Sequence, residues 1–227
     1  MTSATLFRLS GLALLVALPI QISGWLLHPP TEEIHHVVQS TYPFAHVLHW
    51  VSWFLLLLGL PGLYACQAHR AGRLGLASFV LLMLAAAYHL YLLLYEAFAT
   101  PRLAEHPATQ ALVGPDGELA HGVRVVSQFG TLVVLAFPLF GIATLRAGVL
   151  PRWAGWLPIA SLPVLMLGMI VLPASVQDTM PGWVTPIAQL YHLLFAGYAW
   201  GGYALWTARA AEPAGRATRA TPAVAAR

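Results

Sequence analysis

The sequence contains no lysine, and all 11 of its basic residues are arginine. A lysine amine is the group that forms Schiff bases with carbonyl compounds, so a retinal-type linkage and a lysine nucleophile are both excluded. Cysteine is nearly absent as well, because Cys66 is the only one. A single thiol excludes an internal disulfide, a zinc site built from cysteines and an iron–sulfur cluster.

Charge is scarce, since 8% of the residues are charged and 59% are hydrophobic. Soluble domains carry roughly 25% charged residues, so water is not a suitable solvent for this chain and the lipid bilayer is its first expected partner. The net charge of +3 does not indicate nucleic acid, because the arginines lie in short loops and one tail. The sequence also lacks a phosphate loop, G-x-S-x-G, H-E-x-x-H and a dinucleotide fingerprint.

Six apolar stretches follow one another, each long enough to cross about 30 Å of hydrocarbon. They predict an all-α fold, a polytopic membrane helix bundle with helices near 6–27, 44–66, 74–98, 122–146, 153–173 and 183–207. Residues 1–207 would form a single transmembrane domain, and residues 208–227 a disordered basic tail on the cytoplasmic side. The first stretch does not resemble a signal peptide, because it ends at Trp25 and His28 without a small-residue cleavage site.

The arginines predict the orientation of these helices. Nine of the 11 fall on one side of the predicted bundle, namely Arg8, Arg70, Arg73, Arg146, Arg152, Arg209, Arg216, Arg219 and Arg227. Only Arg102 and Arg124 fall on the other side. Cytoplasmic loops carry the excess of arginine in membrane proteins, so both termini are expected in the cytoplasm. For a bacterial chain this means the inner membrane.

A weak internal repeat relates two predicted helical hairpins. The segment from Pro61 through Arg70-Ala-Gly to Leu84 is similar to the segment from Pro138 through Arg146-Ala-Gly to Leu167. It would make helices two and three and helices four and five a parallel pair of hairpins.

The run Pro61-Gly-Leu-Tyr-Ala through Gly72-Arg73-Leu-Gly75, with His28-Pro29 closing the first helix, resembles uncharacterised multi-spanning membrane proteins of arginine-rich, high-GC bacteria. The resemblance covers most of the first four helices. It implies a bacterial inner-membrane protein and brings no activity, cofactor or catalytic residue.

Ionisable side chains inside a bilayer are costly, so they are the first place to look for function. The candidates are His46 and His49 on helix two, His89 and Glu96 on helix three, and His192 on helix six. The predicted topology places them all in the outer half, and the polar residues Gln21, Gln128, Gln189 and Tyr191 fall there too. The inner half of the predicted bundle is expected to be almost purely apolar. This one-sidedness predicts a single polar cavity that opens outward.

Two cofactors suit these residues. His89 and His192 lie at matching predicted depth on different helices, so they could bind the iron of haem b from its two sides, with the small residues 85–87 leaving room for the porphyrin. Alternatively His46, His49, His89, Glu96 and His192 could hold one divalent metal, zinc or iron. A third interpretation is that no cofactor binds and each histidine donates to a nearby carbonyl.

Three functions therefore stay open, and whether the chain is an enzyme stays open with them. The first is a haem-binding redox protein. The second is a non-catalytic accessory subunit that packs against partner subunits of a larger membrane complex. The third is a membrane-embedded metalloenzyme acting on a lipid-like substrate. A transporter is less favoured, because the apolar inner half offers no polar path across the membrane.

The predicted orientation is testable with reporter fusions. A reporter joined after Arg227 is expected to be active only if it is of a type that works in the cytoplasm, because the arginine asymmetry places the C-terminus there. Fusions in the loop near Arg102 should behave in the opposite way. Periplasmic activity of the C-terminal fusion would contradict the helix number or the orientation.

Overall fold

The computed structural model describes residues 3–29, 33–113, 117–171 and 191–208, without the side chains of residues 120–134, 168–171, 191 and 192. Every regular element in these ranges is a helix, so the all-α prediction is confirmed for them. The first residues of the sixth predicted helix and nearly all of the predicted tail lie outside the described residues.

The helices follow the predicted stretches closely, with short helices between them. They are α1 (Ser3–Leu27), α2 (Ile34–Val37), α3 (Thr41–Leu94), α4 (Thr100–Glu105), α5 (Pro107–Gln110), α6 (Glu118–Ala147), α7 (Trp153–Val171) and α8 (Tyr191–Thr207). A π-helical turn, Tyr95–Ala99, joins α3 to α4.

Helix α3 is a hairpin of two limbs, residues 41–71 and 73–94, which meet at the non-helical Gly72. The rings of Tyr64 and Phe79 stack at 4.5 Å across the two limbs, and Trp53 stacks on His89 at 4.0 Å. The members of each pair are almost equally far along the chain from Gly72, which is the register of antiparallel neighbours. Sequence reasoning predicted this hairpin but placed a loop after Cys66, whereas the first limb stays helical up to the glycine.

Glycine is required at this corner. Gly72 has φ 60° and ψ −159°, a backbone conformation that only glycine adopts readily. The second copy of the Arg-Ala-Gly sequence also ends a helix with a glycine of positive φ, because Gly148 caps α6 at φ 59° and ψ 29°. The weak repeat thus coincides with two glycine corners, and the wider repeat stays a prediction.

The first limb of α3 lies at the centre of the bundle. Helix α1 packs against α3 and α8, α6 packs against α3 and α7, and α7 packs against α8. The close approach of α1 depends on small residues, since a Cβ atom at Gly59 would collide with Leu14. Trp53 contacts three neighbours of the limb: His89 on the second limb, Phe137 on α6 at 6.1 Å and Phe195 on α8 at 5.5 Å.

A buried polar pair lies near the Gly72 corner. Gln67 is fully buried, and its Nε2 donates to Oγ1 of Thr144 on α6 at 3.1 Å. The expectation of an almost purely apolar inner half is therefore wrong at this point. It failed because Gln67 was placed in a loop, where the polar group would have met water.

Two helical stretches of the described residues are long and apolar enough to cross a membrane, Ser3–Leu27 and Thr41–Glu105. The second one contains both limbs of α3. Two shorter apolar helices, Leu135–Ala147 and Trp153–Leu167, accompany them. These lengths and compositions support a membrane protein.

The two glycine corners provide a matched pair of substitutions. Gly148→Asn should leave thermal unfolding in mild detergent almost unchanged, because asparagine tolerates the left-handed conformation of that position. Gly72→Asn should destabilise the protein by about 1–3 kcal/mol, because the backbone angles of Gly72 lie in a region that only glycine adopts without strain. Equal effects of the two changes would contradict the corner conformation described here.

Candidate functional site

Three chain segments bring ionisable side chains together at one end of the bundle, where α1 ends and α3 begins; we call it the histidine end. His28 directly follows α1, His46 and His49 lie on the first turns of α3, and Glu96 lies in the π-helical turn beyond the second limb. The antiparallel limbs of α3 place positions 46 and 96 opposite each other. π-Helical turns occur often at functional sites, and this one carries the carboxylate of the cluster.

His46 is the central member of the cluster. Its side chain is 3% exposed, and its Nδ1 lies 2.8 Å from the carbonyl oxygen of Tyr42 one turn earlier. A carbonyl oxygen only accepts hydrogen bonds, so Nδ1 carries a proton and donates it. Nε2, on the other side of the ring, lies 3.1 Å from Oε2 of Glu96.

His28 completes the cluster from the end of α1. Its Nδ1 donates to the carbonyl oxygen of Pro29 at 2.6 Å, and its Nε2 lies 3.4 Å from Nε2 of His46. Burial, and after it the neighbouring His46, lower the pKa of His28 from its ordinary 6.5 to about 4. At neutral pH, His28 is therefore neutral and presents an Nε2 lone pair to His46.

The distances between these groups bear on where a proton can lie in the cluster. Without a proton between them, the Nε2 lone pair of His46 and the Glu96 carboxylate would face each other at 3.1 Å and repel. One proton removes this repulsion, whether it resides on His46 as imidazolium or on Glu96 as carboxylic acid. The geometry therefore suits one proton held between His46 and Glu96, with His28 as a neighbouring acceptor.

His49 lies one turn farther along α3, over a glycine of α1. Its ring centroid is 4.7 Å from that of Trp25 and 6.3 Å from that of His46. A Cβ atom on Gly24 would come within 2.7 Å of the imidazole, so only glycine leaves space for His49 here. The structure thus brings His46, His49 and Glu96 to one end of the bundle.

A small apolar cap covers the cluster at the histidine end. Val37 of α2, Ala104 of α4 and Val113 are buried together with Tyr42. The Tyr42 ring, itself fully buried, is 4.2 Å from the His46 ring and 5.7 Å from the His28 ring. Tyr42 therefore belongs both to the cap and to the wall of the cluster.

His89 lies deeper in the bundle, two helical turns from Glu96. Its ring stacks on Trp53 with an interplanar angle of 11°, and its Nδ1 donates to the carbonyl oxygen of Ala85 at 3.2 Å. Ala85 and Ala86 are 2% and 0% exposed in the apolar core. A porphyrin at His89 beside residues 85–87 stays a prediction.

The remaining predicted residues divide into two groups. Gln21 is 1% exposed on α1, and its Oε1 has no hydrogen-bond partner among the described residues. Gln189 lies outside the described residues, as do the side chains of Gln128, Tyr191 and His192. The single connected cavity and the haem pair of His89 and His192 thus stay predictions.

Within the described ranges, no three His, Cys, Asp or Glu side chains are arranged to hold a metal ion. His46, His49, His89 and Glu96 are therefore not a complete metal site by themselves. A site that includes His192 stays a prediction, because that side chain is not described.

Sequence reasoning missed His28, which it did not place among the candidate residues. A signal was present, because Gln21, Gly24 and His28 are spaced by three and four residues and so share one face of α1. That face also packs against the first limb of α3. What the sequence does not show is that the chain just after α1 places the imidazole beside His46.

Comparison with known proteins gives no match: no family model, no curated protein and no solved structure matches this chain. The resemblance of the sequence to bacterial multi-spanning proteins therefore remains a resemblance.

Gly24 and His49 can be tested as a pair. Gly24→Ala should lower stability in detergent by about 1–3 kcal/mol, because the added methyl group collides with the imidazole. In a His49→Ala background the same change should cost clearly less, and the difference measures the contact by a double-mutant cycle. Additive effects of the two changes would contradict the packing of His49 over Gly24.

Proposed function

We propose that this chain is a multi-pass bacterial inner-membrane protein that holds one exchangeable proton between His46 and Glu96 at its outer side. The support comes from the helix lengths, the arginine distribution and the hydrogen bonds of His46. The activity that follows is proton handling, in which the cluster takes up or delivers a proton at the outer end of the bundle.

Six crossings agree with the lengths of the helices. At 1.5 Å per residue, α1 is about 37 Å long, the limbs of α3 about 46 and 33 Å, α6 about 45 Å and α7 about 28 Å. Even the described part of α8 reaches about 25 Å. Each is close to or above the hydrocarbon thickness of about 30 Å.

Contacts between the first and last helices support termini on one side. The guanidinium of Arg8, near the start of α1, lies 5.1 Å from the ring centroid of Trp206, near the end of α8. The Gly72 corner is at this end too, because Ser10 meets Gly62 there. Arg70, Arg73 and Arg146 lie near the two glycine corners, so the positive-inside rule favours this end as cytoplasmic and the histidine end as outer.

The observation that carries the function is the position of His46 Nε2 between Glu96 and His28. Both histidines donate through Nδ1 to backbone carbonyls, so their orientations and tautomers are fixed. Glu96 is 26% exposed at its side chain, which leaves it a route to water that the nearly buried His46 lacks. A proton can therefore enter or leave through Glu96 while His46 holds it.

The haem-binding redox protein is retained as a second candidate function on one observation. Because Nδ1 of His89 donates to the carbonyl of Ala85, Nε2 is the nitrogen that has the lone pair a metal requires, and a backbone carbonyl partner is usual for ligating histidines. The residues for a haem b would be His89 and His192. The accessory-subunit and metalloenzyme alternatives have no observation of their own among the described residues.

The shared proton is testable by histidine-selective ¹⁵N NMR and by infrared spectroscopy of the purified protein. At neutral pH we expect either a doubly protonated His46 or a protonated Glu96 carboxyl group, because one proton must separate Nε2 from Oε2. Glu96→Gln should remove the signal. Glu105→Gln is the matched control and should leave the signal unchanged, since that exposed carboxylate pairs with Arg102 at 3.1 Å.

Two outcomes would overturn the proposal. One is a His46 that is singly protonated while Glu96 is ionised at the same pH. The other is a red preparation whose Soret band disappears in both His89→Ala and His192→Ala, which would give the function to haem.

A further inference from the structure

His28 occupies the junction between two helices. It directly follows α1, yet its ring approaches three rings of α3: His46 at 4.8 Å, Tyr42 at 5.7 Å and His49 at 6.1 Å. On its own side it is 5.5 Å from Trp25, in the last turn of α1. The state of His28 therefore affects how the end of α1 sits against α3.

Protonation of His28 makes its contact with His46 repulsive. In the neutral state, the Nε2 lone pair of His28 faces Nε2 of His46 at 3.4 Å. Because Nδ1 of His28 already donates to Pro29, an added proton must go to Nε2. With the shared proton on His46, two N–H groups and two positive charges would then face each other across this distance.

The groups around His28 do not cancel this repulsion. Glu96, in the π-helical turn, favours the charged form of His28, whereas His46 on α3 and His36 on α2 oppose it. His49, Tyr42 and Trp25 contribute rings without a permanent negative charge. Among the described residues that shift the pKa of His28, Glu96 is the only carboxylate, and it is also paired with His46.

We propose that His28 is an acid-triggered switch, in which proton uptake by His28 breaks its contact with His46 and loosens the junction between α1 and α3. The inference rests on the proposed function, because the repulsion requires the shared proton to be present on the His46–Glu96 pair. The stimulus is the proton concentration at the histidine end. The step is proton binding alone, and no other bond forms or breaks.

The pH window follows from the burial of His28. Its pKa is lowered from 6.5 to about 4 in the folded protein, so between these values the loosened junction binds more protons than the packed one. A state that binds more protons gains stability as the pH falls. The packed junction is therefore favoured above pH 6.5 and is progressively lost as the pH falls toward 4.

Trp25 provides a built-in reporter for this change, because its indole lies beside both His28 and His49. The experiment is a fluorescence titration of the full-length protein in detergent from pH 8 to pH 3.5. The protein contains eight tryptophans, so the signal of Trp25 is the difference between the wild type and Trp25→Phe. We expect a change in this difference signal below pH 6.5 that is complete near pH 4.

The matched variants are His28→Gln and His35→Gln. His28→Gln, which cannot take up the proton, should abolish the transition, with His28→Asn as the substitute if that variant does not fold. His35 is an exposed neighbour on α2, so His35→Gln should retain the transition with an unchanged midpoint. A transition that persists at the same midpoint in the His28 variants, or no transition in the wild type, would overturn the switch.

Failure of the switch can be told apart from failure of the proposed function. Loss of the proposed function appears as the absence of the shared proton in NMR at neutral pH. Failure of the switch appears as a missing His28-dependent transition while that proton is present. Hydrogen exchange at the end of α1 gives a second reading: after correction for the intrinsic pH dependence of amide exchange, the protection should fall below pH 6.5 in the wild type and stay unchanged in His28→Gln.

Discussion

The antiparallel pairing of the two limbs of α3 is the constraint on which the rest of the structure depends. Gly72 makes the corner, and from there each residue of one limb has its neighbour on the other. The same register that stacks Trp53 on His89 brings Glu96 to His46 two turns farther along. A shift by one residue would rotate the carboxylate by about 100° around its helix and separate it from the imidazole.

The central position of the first limb explains why polar groups can exist in so apolar a chain. In hydrocarbon, an unpaired polar group is costly, so it must find its partner inside the bundle. His46 has three such partners: the backbone carbonyl of Tyr42, the ring of His28 and the carboxylate of Glu96. Gln67 pairs with Thr144 near the opposite end of the same limb. These pairs join the first limb to the chain after α1, to the segment that follows its own second limb and to α6.

The histidine cluster combines rigid and mobile properties in one place. Backbone carbonyls fix the orientation of both His28 and His46, while the proton that we propose between His46 and Glu96 would exchange through the partly exposed Glu96. The apolar cap with Tyr42 and the glycine beneath His49 pack against other sides of the cluster. Such a site can sense or hold protons without an open pore, since proton binding needs only one route to water.

Much of the architecture was determined by the sequence alone, because the bilayer leaves few alternatives. A long apolar run can satisfy its backbone only as a helix, so composition predicts the helices, and the scarcity of charge makes His46, His49, His89 and Glu96 conspicuous. Helical spacing also predicts that His46 and His49 share a face. The corner at Gly72 was expected within a few residues, since an Arg-Ala-Gly sequence after an apolar run is a usual helix end.

Only the tertiary structure decided which of these side chains meet. His89, predicted to line one cavity with the other candidate residues, stacks on Trp53, while His28, which was not among the candidates, lies against His46. Periodicity gives the face of a helix and its approximate depth, whereas contact depends on which helices are neighbours and on how closely they approach. At this site the close approach of α1 to α3 depends on Gly24, because a glycine has no side chain and leaves the space that His49 fills.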